Sequence, residues 1–209
     1  MTLIYFVRHG ETEWNRERRI QGTTDIPLND TGRAQARETG RLLASRDWDL
    51  IVSSPLLRAH ETATIIAAEL RMPQPLILAE VAERNYGAAE GLDHDQVDAL
   101  FPGDSPVPGR ESREDVTARV IPAIVALAEE HPGESIVVVS HGGVIRSVLM
   151  SVAPGEHEVP IRNGSVHSFR HTDGTLDLIA FDDPIEVSSN EFSDVELDDQ
   201  NPAERIITG

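Results

Sequence analysis

The chain reads as α/β: a three-layer α/β/α sandwich around a mostly parallel central sheet. Three observations lead there. Short β-prone apolar runs alternate with segments of helical periodicity, the pattern of a sheet with helices on both faces. Two of those runs, Thr2 to Val7 and Ser135 to Ser140, end abruptly in His-Gly, as buried strands do when they feed loops at one end of a sheet. Two late runs, Val166 to Arg170 and Leu176 to Phe181, flank Asp173-Gly174 and read as a hairpin.

Taken in order, Thr2 to Val7 is the first strand, followed by a polar, arginine-rich loop through Asn29. Asn29 or Asp30 can cap a helix from about Thr31 to Ser45, with Ala34, Leu42 and Leu43 among its apolar positions. Asp49 to Ser53 is a second strand, and Pro55 suits the first turn of a helix reaching Arg71. Leu76 to Leu78 is a third strand. A loop holding Glu83-Arg84-Asn85-Tyr86-Gly87 follows, and the Pro- and Gly-rich stretch from Phe101 to Gly109 is expected to run over the sheet edge. Val116, Val120, Ile124 and Leu127 recur at helical spacing within Arg113 to His131, and His141-Gly142-Gly143 opens a further helix to about Val152. One domain is expected over 1–182. Residues 183–209 are acidic with few large apolar side chains and are expected to form a flexible tail.

Composition narrows the chemistry. The 209 residues are enough for one sizeable core, and no apolar run approaches a membrane span. The start has no basic n-region, so a cytoplasmic location is expected. There is no cysteine, which removes disulfides, thiolate metal sites and cysteine nucleophiles. There is no lysine either, which removes the Walker lysine and Schiff-base chemistry. Phosphate handling would fall to arginine, whose planar fork binds oxyanions bidentately and keeps its charge. The net charge of -18 repels nucleic acid and anionic membrane, so neither is an expected partner. From Asp182 onward nine acidic residues face Arg205 alone, yet the body of the chain clusters arginines near candidate strand ends.

Val7-Arg8-His9-Gly10 and Val139-Ser140-His141-Gly142 repeat one pattern. Ligands of open α/β sheets bind beyond the carboxyl ends of strands, so His9 and His141 can converge although far apart in sequence. Glycine beside each lets backbone approach a ligand, and the helix after His141 offers N-terminal amides to an anion. Arg8 adjoins His9, and Arg58 follows the strand end at Ser53-Ser54-Pro55. Fixed cations of this kind suit the charged equatorial oxygens of a phosphoryl transition state.

Arg8-His9-Gly10-Glu11-Thr12 with Asn15 resembles the signature of the histidine phosphatase superfamily, the phosphoglycerate mutase-like family. The likeness continues through Leu28-Asn29-Asp30-Thr31-Gly32, Ser53-Ser54-Pro55 to Arg58-Ala59, Glu83-Arg84-Asn85-Tyr86-Gly87, Ser140-His141-Gly142-Gly143 and Asn163-Gly164-Ser165, over roughly residues 3–181. The resemblance implies His9 as the phosphorylated nucleophile. It implies Arg8, Arg58 and His141 as phosphate ligands, assisted by Asn15, Gln21, Gly22 and the Gly142 amide, with Arg84 near the substrate. Glu83 would protonate the leaving alcohol and later activate water. His141 is expected to carry charge, favoured further by bound phosphate. No metal and no other cofactor is called for, because arginines supply the positive charge. The expected partner is a small phosphorylated substrate, and a homodimer is left open.

Competing signals carry less. Asp173-Gly174-Thr175-Leu176-Asp177 resembles part of an aspartyl-phosphatase loop, but His171 stands where the first Asp is needed, so it reads as a turn. His167 and His171 lack a third metal ligand, and His60 reads as packing or surface. Glu90-Gly91 is expected to shape the substrate mouth. Between hydrolase and mutase, the span from Leu92 to Pro108 favours hydrolysis: it is short, has no Arg or Lys and carries Asp93, Asp95, Asp98 and Asp104. Pro108-Gly109-Arg110-Glu111-Ser112 also resembles an element of the family's small phosphatases. Glu83-Arg84-Asn85-Tyr86-Gly87 is closer to the mutase form, with Arg84 and Arg110 as candidates for binding a carboxylate or second phosphate. A non-catalytic module binding phosphorylated ligands is the third reading.

Overall fold

The computed structural model describes residues 1–155 and 159–185. In chain order the elements are β1 (Thr2–Arg8), α1 (Glu13–Arg16), α2 (Asp30–Leu43), β2 (Leu50–Ser53), α3 (Leu57–Leu70), β3 (Leu76–Ile77), α4 (His94–Leu100), α5 (Arg113–Glu130), β4 (Ser135–Ser140), α6 (Gly142–Val152), β5 (Val166–Thr172) and β6 (Thr175–Ala180). The six strands form one sheet in the order β3-β2-β4-β1-β5-β6. β3, β2, β4 and β1 pair in parallel, while β5 is antiparallel to both β1 and β6.

The sandwich follows from the side-chain period of a strand. In β1, Ile4 and Phe6 face one layer while Tyr5 and Val7 face the other; in β4, Ile136 and Val138 part from Val137 and Val139 in the same way. The first set packs on Val116, Val120 and Ile124 of α5 and Val144 and Val148 of α6. The second packs on Leu43 of α2 and Ala63 and Ile66 of α3. Strands buried on both faces read as continuous apolar runs, which is why β4 was the clearest strand in the sequence. Each such side chain, fully buried, contributes about 1.5–3 kcal/mol.

Several boundaries differ from the sequence expectation. The loop after β1 contains α1, started by a capping box in which Thr12 accepts from the Asn15 amide. α4 lies within Leu92 to Pro108, capped reciprocally by Asp93 and Gln96. The stretch from Phe101 to Gly109 does not lie over the sheet edge. Its Val107 joins Ile20, Tyr86, Ala89 and Val97 in a small satellite core. Pro55 precedes α3 rather than opening it; the first turn begins at Leu57, whose N–H donates to Asp25 Oδ1 at 2.8 Å. β3 ends at Ile77, with both side chains exposed at the sheet edge. Ala34 is exposed, because α2 buries Gly32, Ala36, Thr39, Gly40 and Leu43 instead. Near the expected start of the tail, the Asp183 N–H donates to Val166 O, and Ile185 is buried beside Tyr5 and Val166. The tail expectation otherwise falls on residues 186–209, outside the described residues.

One contact ties the α2–α3 layer to the end of β1. A side chain at Gly32 would place its Cβ 2.1 Å from the Glu11 carbonyl oxygen, and one at Gly10 would sit 2.3 Å from Gly32 O. Helix propensity alone would favour Gly32→Ala by about 1 kcal/mol. Steric overlap with rigid backbone should reverse the sign, costing about 1–3 kcal/mol. Urea denaturation of Gly32→Ala reads this directly; a variant more stable than wild type would show that the close approach is not maintained.

Candidate active site

β1 and β4 are neighbouring parallel strands with Arg8 opposite Ser140. The residue after each is therefore placed side by side: the His9 N–H donates to Ser140 O at 3.0 Å, and the His9 and His141 rings lie 5.1 Å apart between centroids. Both imidazoles are buried. His9 Nδ1 lies 2.7 Å from its neighbour's carbonyl, Gly10 O. A carbonyl only accepts, so Nδ1 carries the proton and Nε2 keeps its lone pair. Asn163 Nδ2 donates to His9 O at 2.8 Å, holding the backbone on the other side.

Arg58, on the first turn of α3, has no exposed surface. Nη2 donates to Gly22 O at 2.7 Å and Nη1 to Thr24 O at 3.0 Å. Those carbonyls are themselves pinned by Glu90, whose carboxylate accepts from the Thr23, Thr24 and Tyr86 amides. Glu90 is thus a strut for the loop beneath Arg58, a more specific role than shaping the mouth. Arg8 donates Nη1 to Ile161 O and passes over Gly142, where a Cβ would stand 3.5 Å from its Nε. The Thr12 hydroxyl, at 2.8 Å from Gln21 Oε1 and 3.0 Å from Asn15 Oδ1, orients both amides by their oxygens. Among the described residues no group accepts from Gln21 Nε2 or Arg58 Nε, both buried.

Glu83 is buried from the opposite side. Its Oε1 accepts from Arg84 N at 2.7 Å and its Oε2 from Gly143 N at 3.2 Å. Gly143 must be glycine here, since a Cβ would lie 2.6 Å from Glu83 Oε1 and 2.9 Å from Tyr86 Oη. Arg84 does not join the cluster. It donates Nε to Glu111 O at 2.7 Å and stacks over Tyr86, while its backbone amide donates to Glu83.

Electrostatics separates the roles. Burial, then Arg58 and Arg8, hold His9 well below the usual histidine range, outweighing the Gly10 carbonyl. Burial, Arg58, His9, Arg8 and Arg119 do the same to His141. The expected charge on His141 is therefore not supplied by the pocket itself: burial among cations favours the neutral ring, and only an anion could reverse that. Burial also raises Glu83, against the pull of the Arg84 and Gly143 amides and of Arg58 and Arg8. Arg58 is pushed down by burial to about 10, with Glu83, Asp25 and Glu90 opposing, and remains charged at neutral pH.

Two partners escaped the sequence reading. Ser54 Oγ lies 2.7 Å from His141 Nε2, fixing that ring. Thr62 accepts from Gly10 N at 3.1 Å and donates to Arg58 O at 2.6 Å, coupling the His9 loop to α3. Ser54 lies inside a quoted motif, whereas nothing marks Thr62 before the helix is placed. Among the described residues no group of three or more His, Asp or Glu side chains is arranged to hold a metal ion, and no helix is long and apolar enough to cross a membrane.

A three-layer α/β/α fold with paired histidines, buried arginines and one buried carboxyl at the strand ends defines a class of phosphoryl-handling proteins. The chain belongs to the histidine phosphatase superfamily (branch 1), whose family model matches residues 4–184. It is 40% identical over 159 residues to the uncharacterized phosphatase PhoE of Bacillus subtilis, covering 76% of this chain and 81% of that one. It is 31% identical over 204 residues to a metal-independent phosphoserine phosphatase of Arabidopsis thaliana, covering 92% and 86%. Among solved structures, a mycobacterial glucosyl-3-phosphoglycerate phosphatase superposes with a TM-score of 0.78 at 28% identity, covering 86% of this chain and 98% of that one. The family also includes mutases: a 2,3-bisphosphoglycerate-dependent phosphoglycerate mutase of Methylobacterium is 35% identical over 164 residues, covering 71% and 79%.

Two outcomes follow. A histidine with a depressed folded pKa resists protonation while the unfolded chain takes the proton, so stability present at neutral pH is lost as pH falls below about 6.5. The loss should reach about 1.4 kcal/mol per histidine and per pH unit. Glu83, raised, acts in the opposite sense, losing stability as pH rises through its folded value. Urea midpoints from pH 7 to 5.5 should show a slope that flattens in a His9→Asn, His141→Asn double variant; equal slopes would mean both rings protonate freely in the fold. Second, Arg58→Ala should lower kcat by about 10²–10³, the scale for one preorganised donor. Arg58→Lys should recover only part, because an ammonium lacks the fork.

Proposed function

We propose that the chain hydrolyses small phosphomonoesters in two steps through a phosphohistidine on His9. The observation that carries this is the His9 tautomer: Nδ1 is committed to Gly10 O, so the lone pair stays on Nε2, in a ring that stands 5.1 Å from that of His141 and feels the charges of Arg58 and Arg8. In the first step the Nε2 lone pair attacks phosphorus and the ester P–O bond breaks. The leaving alkoxide takes the proton of Glu83, which burial keeps available. In the second, the Glu83 carboxylate takes a proton from water, whose oxygen attacks phosphorus. The P–N bond breaks and neutral His9 is restored. Arg8, Arg58, Asn15, Gln21 and the Gly142 amide hold the equatorial oxygens, with Gly22 supplying a carbonyl to Arg58. His141 gains a proton only when the phosphate arrives.

Hydrolysis rather than isomerisation is supported by the segment around α4. Asp95, Asp98 and Asp104 are exposed there, and the span from Leu92 to Pro108 contains no cation to retain a bisphosphorylated intermediate. Wild type quenched with substrate should carry acid-labile phosphate on His9, and His9→Ala should be inactive yet folded; phosphate on a serine or aspartate would sink the mechanism. The test of class uses 3-phosphoglycerate with and without 2,3-bisphosphoglycerate, following 2-phosphoglycerate and free phosphate together. Net phosphate release without the bisphosphate is expected. Fast isomerisation with negligible release would make the protein a mutase.

The acid role has its own signature. Glu83→Gln should slow 2-glycerol phosphate by about 10²–10⁴ but p-nitrophenyl phosphate far less, since nitrophenolate leaves without a proton. Equal losses on the two esters would remove Glu83 from that role.

A further inference from the structure

A guanidinium has five N–H donors, and in Arg119, on α5, all five are spent, two on Glu111 and three on carbonyls of Glu80, Ala82 and Glu83. Nε donates to Glu111 Oε1 at 2.7 Å and Nη2 to Glu111 Oε2 at 3.0 Å, a fork-to-fork pair. The second Nη2 proton reaches Glu83 O at 3.3 Å, and Nη1 donates to Ala82 O at 2.8 Å and to Glu80 O. Glu111 closes the other side of the same loop. Its N–H donates to Asn85 O at 2.8 Å, its Oε2 accepts from Asn85 N at 3.1 Å, and its carbonyl accepts from Arg84 Nε at 2.7 Å. Both side chains are largely withdrawn from solvent, at 26% and 19% exposure, so the pair is less screened than a surface bridge.

Arg119 and Glu111 also line a cavity of about 500 Å³ that reaches Glu83, together with Asn85 and Arg110. A cation on a cavity wall invites assignment as a substrate ligand. The hydrogen-bond count argues otherwise: Arg119 has no donor left to offer.

We infer that the Arg119–Glu111 pair is a positioning device for Glu83, holding the backbone of residues 80–85 so that the carboxyl meets the leaving-group oxygen. The inference rests on the acid role assigned to Glu83 above. It assigns these two residues to neither substrate binding nor the phosphate pocket, whose side chains come from β1, α1 and the loop after it, α3 and the β4 end. A displacement of about 1 Å at a reacting group can cost 10²-fold. Lysine, with three donors on a flexible stem, cannot reproduce the five contacts.

The experiment compares Arg119→Lys with wild type on 2-glycerol phosphate and p-nitrophenyl phosphate. The expected result is a fall in kcat of about 10–100-fold on the alkyl ester. KM should change little, and the loss on the aryl ester should be several-fold smaller. Added to Glu83→Gln, Arg119→Lys should cost almost nothing more on the alkyl ester, since the acid it positions is already gone. Equal losses on both esters, a rise in KM with kcat unchanged, or full additivity with Glu83→Gln would each overturn the inference. If Arg119→Lys does not fold, Glu111→Gln, which keeps the shape and weakens the pair, gives the same comparison. Glu83→Gln alone separates the two levels. If it shows no leaving-group dependence, the acid role and this inference fall together; if it shows one and neither Arg119→Lys nor Glu111→Gln does, only this inference falls.

Discussion

The parallel ladder between β1 and β4 is the constraint on which the site depends. Register in a sheet is discrete, and a slip of one residue would exchange the two apolar faces of a strand. Ile4, Phe6, Ile136 and Val138 face one layer and Tyr5, Val7, Val137 and Val139 the other, which excludes a one-residue slip, and the observed register sets Arg8 opposite Ser140. His9 and His141 then emerge at one level from adjacent strands. The core therefore sets the separation of the histidines, and the loops only have to orient them.

Around that pair the protein gathers buried arginines, with Glu83, Asp25 and Glu90 near Arg58. Arg58 is satisfied by the carbonyls of Gly22 and Thr24 rather than by a carboxylate, and Arg8 donates to the Ile161 carbonyl. Carbonyl dipoles make such burial tolerable without neutralising it. The consequences share one cause, burial: both imidazoles are held well below the usual histidine range, Arg58 is lowered and Glu83 is raised. On the proposed mechanism an arriving phosphate dianion would add the negative charge this cluster favours, so that affinity for the anion and a neutral His9 would share one physical origin. The chain's overall charge of -18 does not contradict this, because distant surface charges are screened while the pocket is not.

The far wall of the site obeys a different logic. Residues 80–85 have little regular structure, and long irregular segments are where precision is usually lost. Here α5 reaches over with Arg119, the segment just before α5 contributes Glu111, and Ser140 Oγ donates to Val81 O at 2.8 Å from the β4 end. A loop is thus fixed by side chains of the two elements that also bound the core. The satellite core of Ile20, Tyr86, Ala89, Val97 and Val107 then shields this wall on the outside, and Glu90 links it to the loop under Arg58.

Much of this was legible in the sequence for identifiable reasons. Strand and helix periods announced the layers, and two strands ending in His-Gly announced where chemistry would lie. The ordered motifs then pointed to His9, His141, Arg8, Arg58 and Glu83. Short elements were missed because tertiary partners, rather than propensity, make them: α4 is seven residues long and stands on a satellite core assembled from distant segments. The contacts of Arg84 with Glu111 and Tyr86 could not be read either, since both depend on how distant segments pack. The same holds for the hydroxyls of Ser54 and Thr62, the strut at Glu90 and the five-bond grip of Arg119. By itself the sequence determined the layers, the register-bearing strands and the kind of chemistry, because those depend on local periodicity and residue type. Only the tertiary structure decided protonation and geometry, because a pKa and a hydrogen-bond partner are set by burial and by residues scores of positions away.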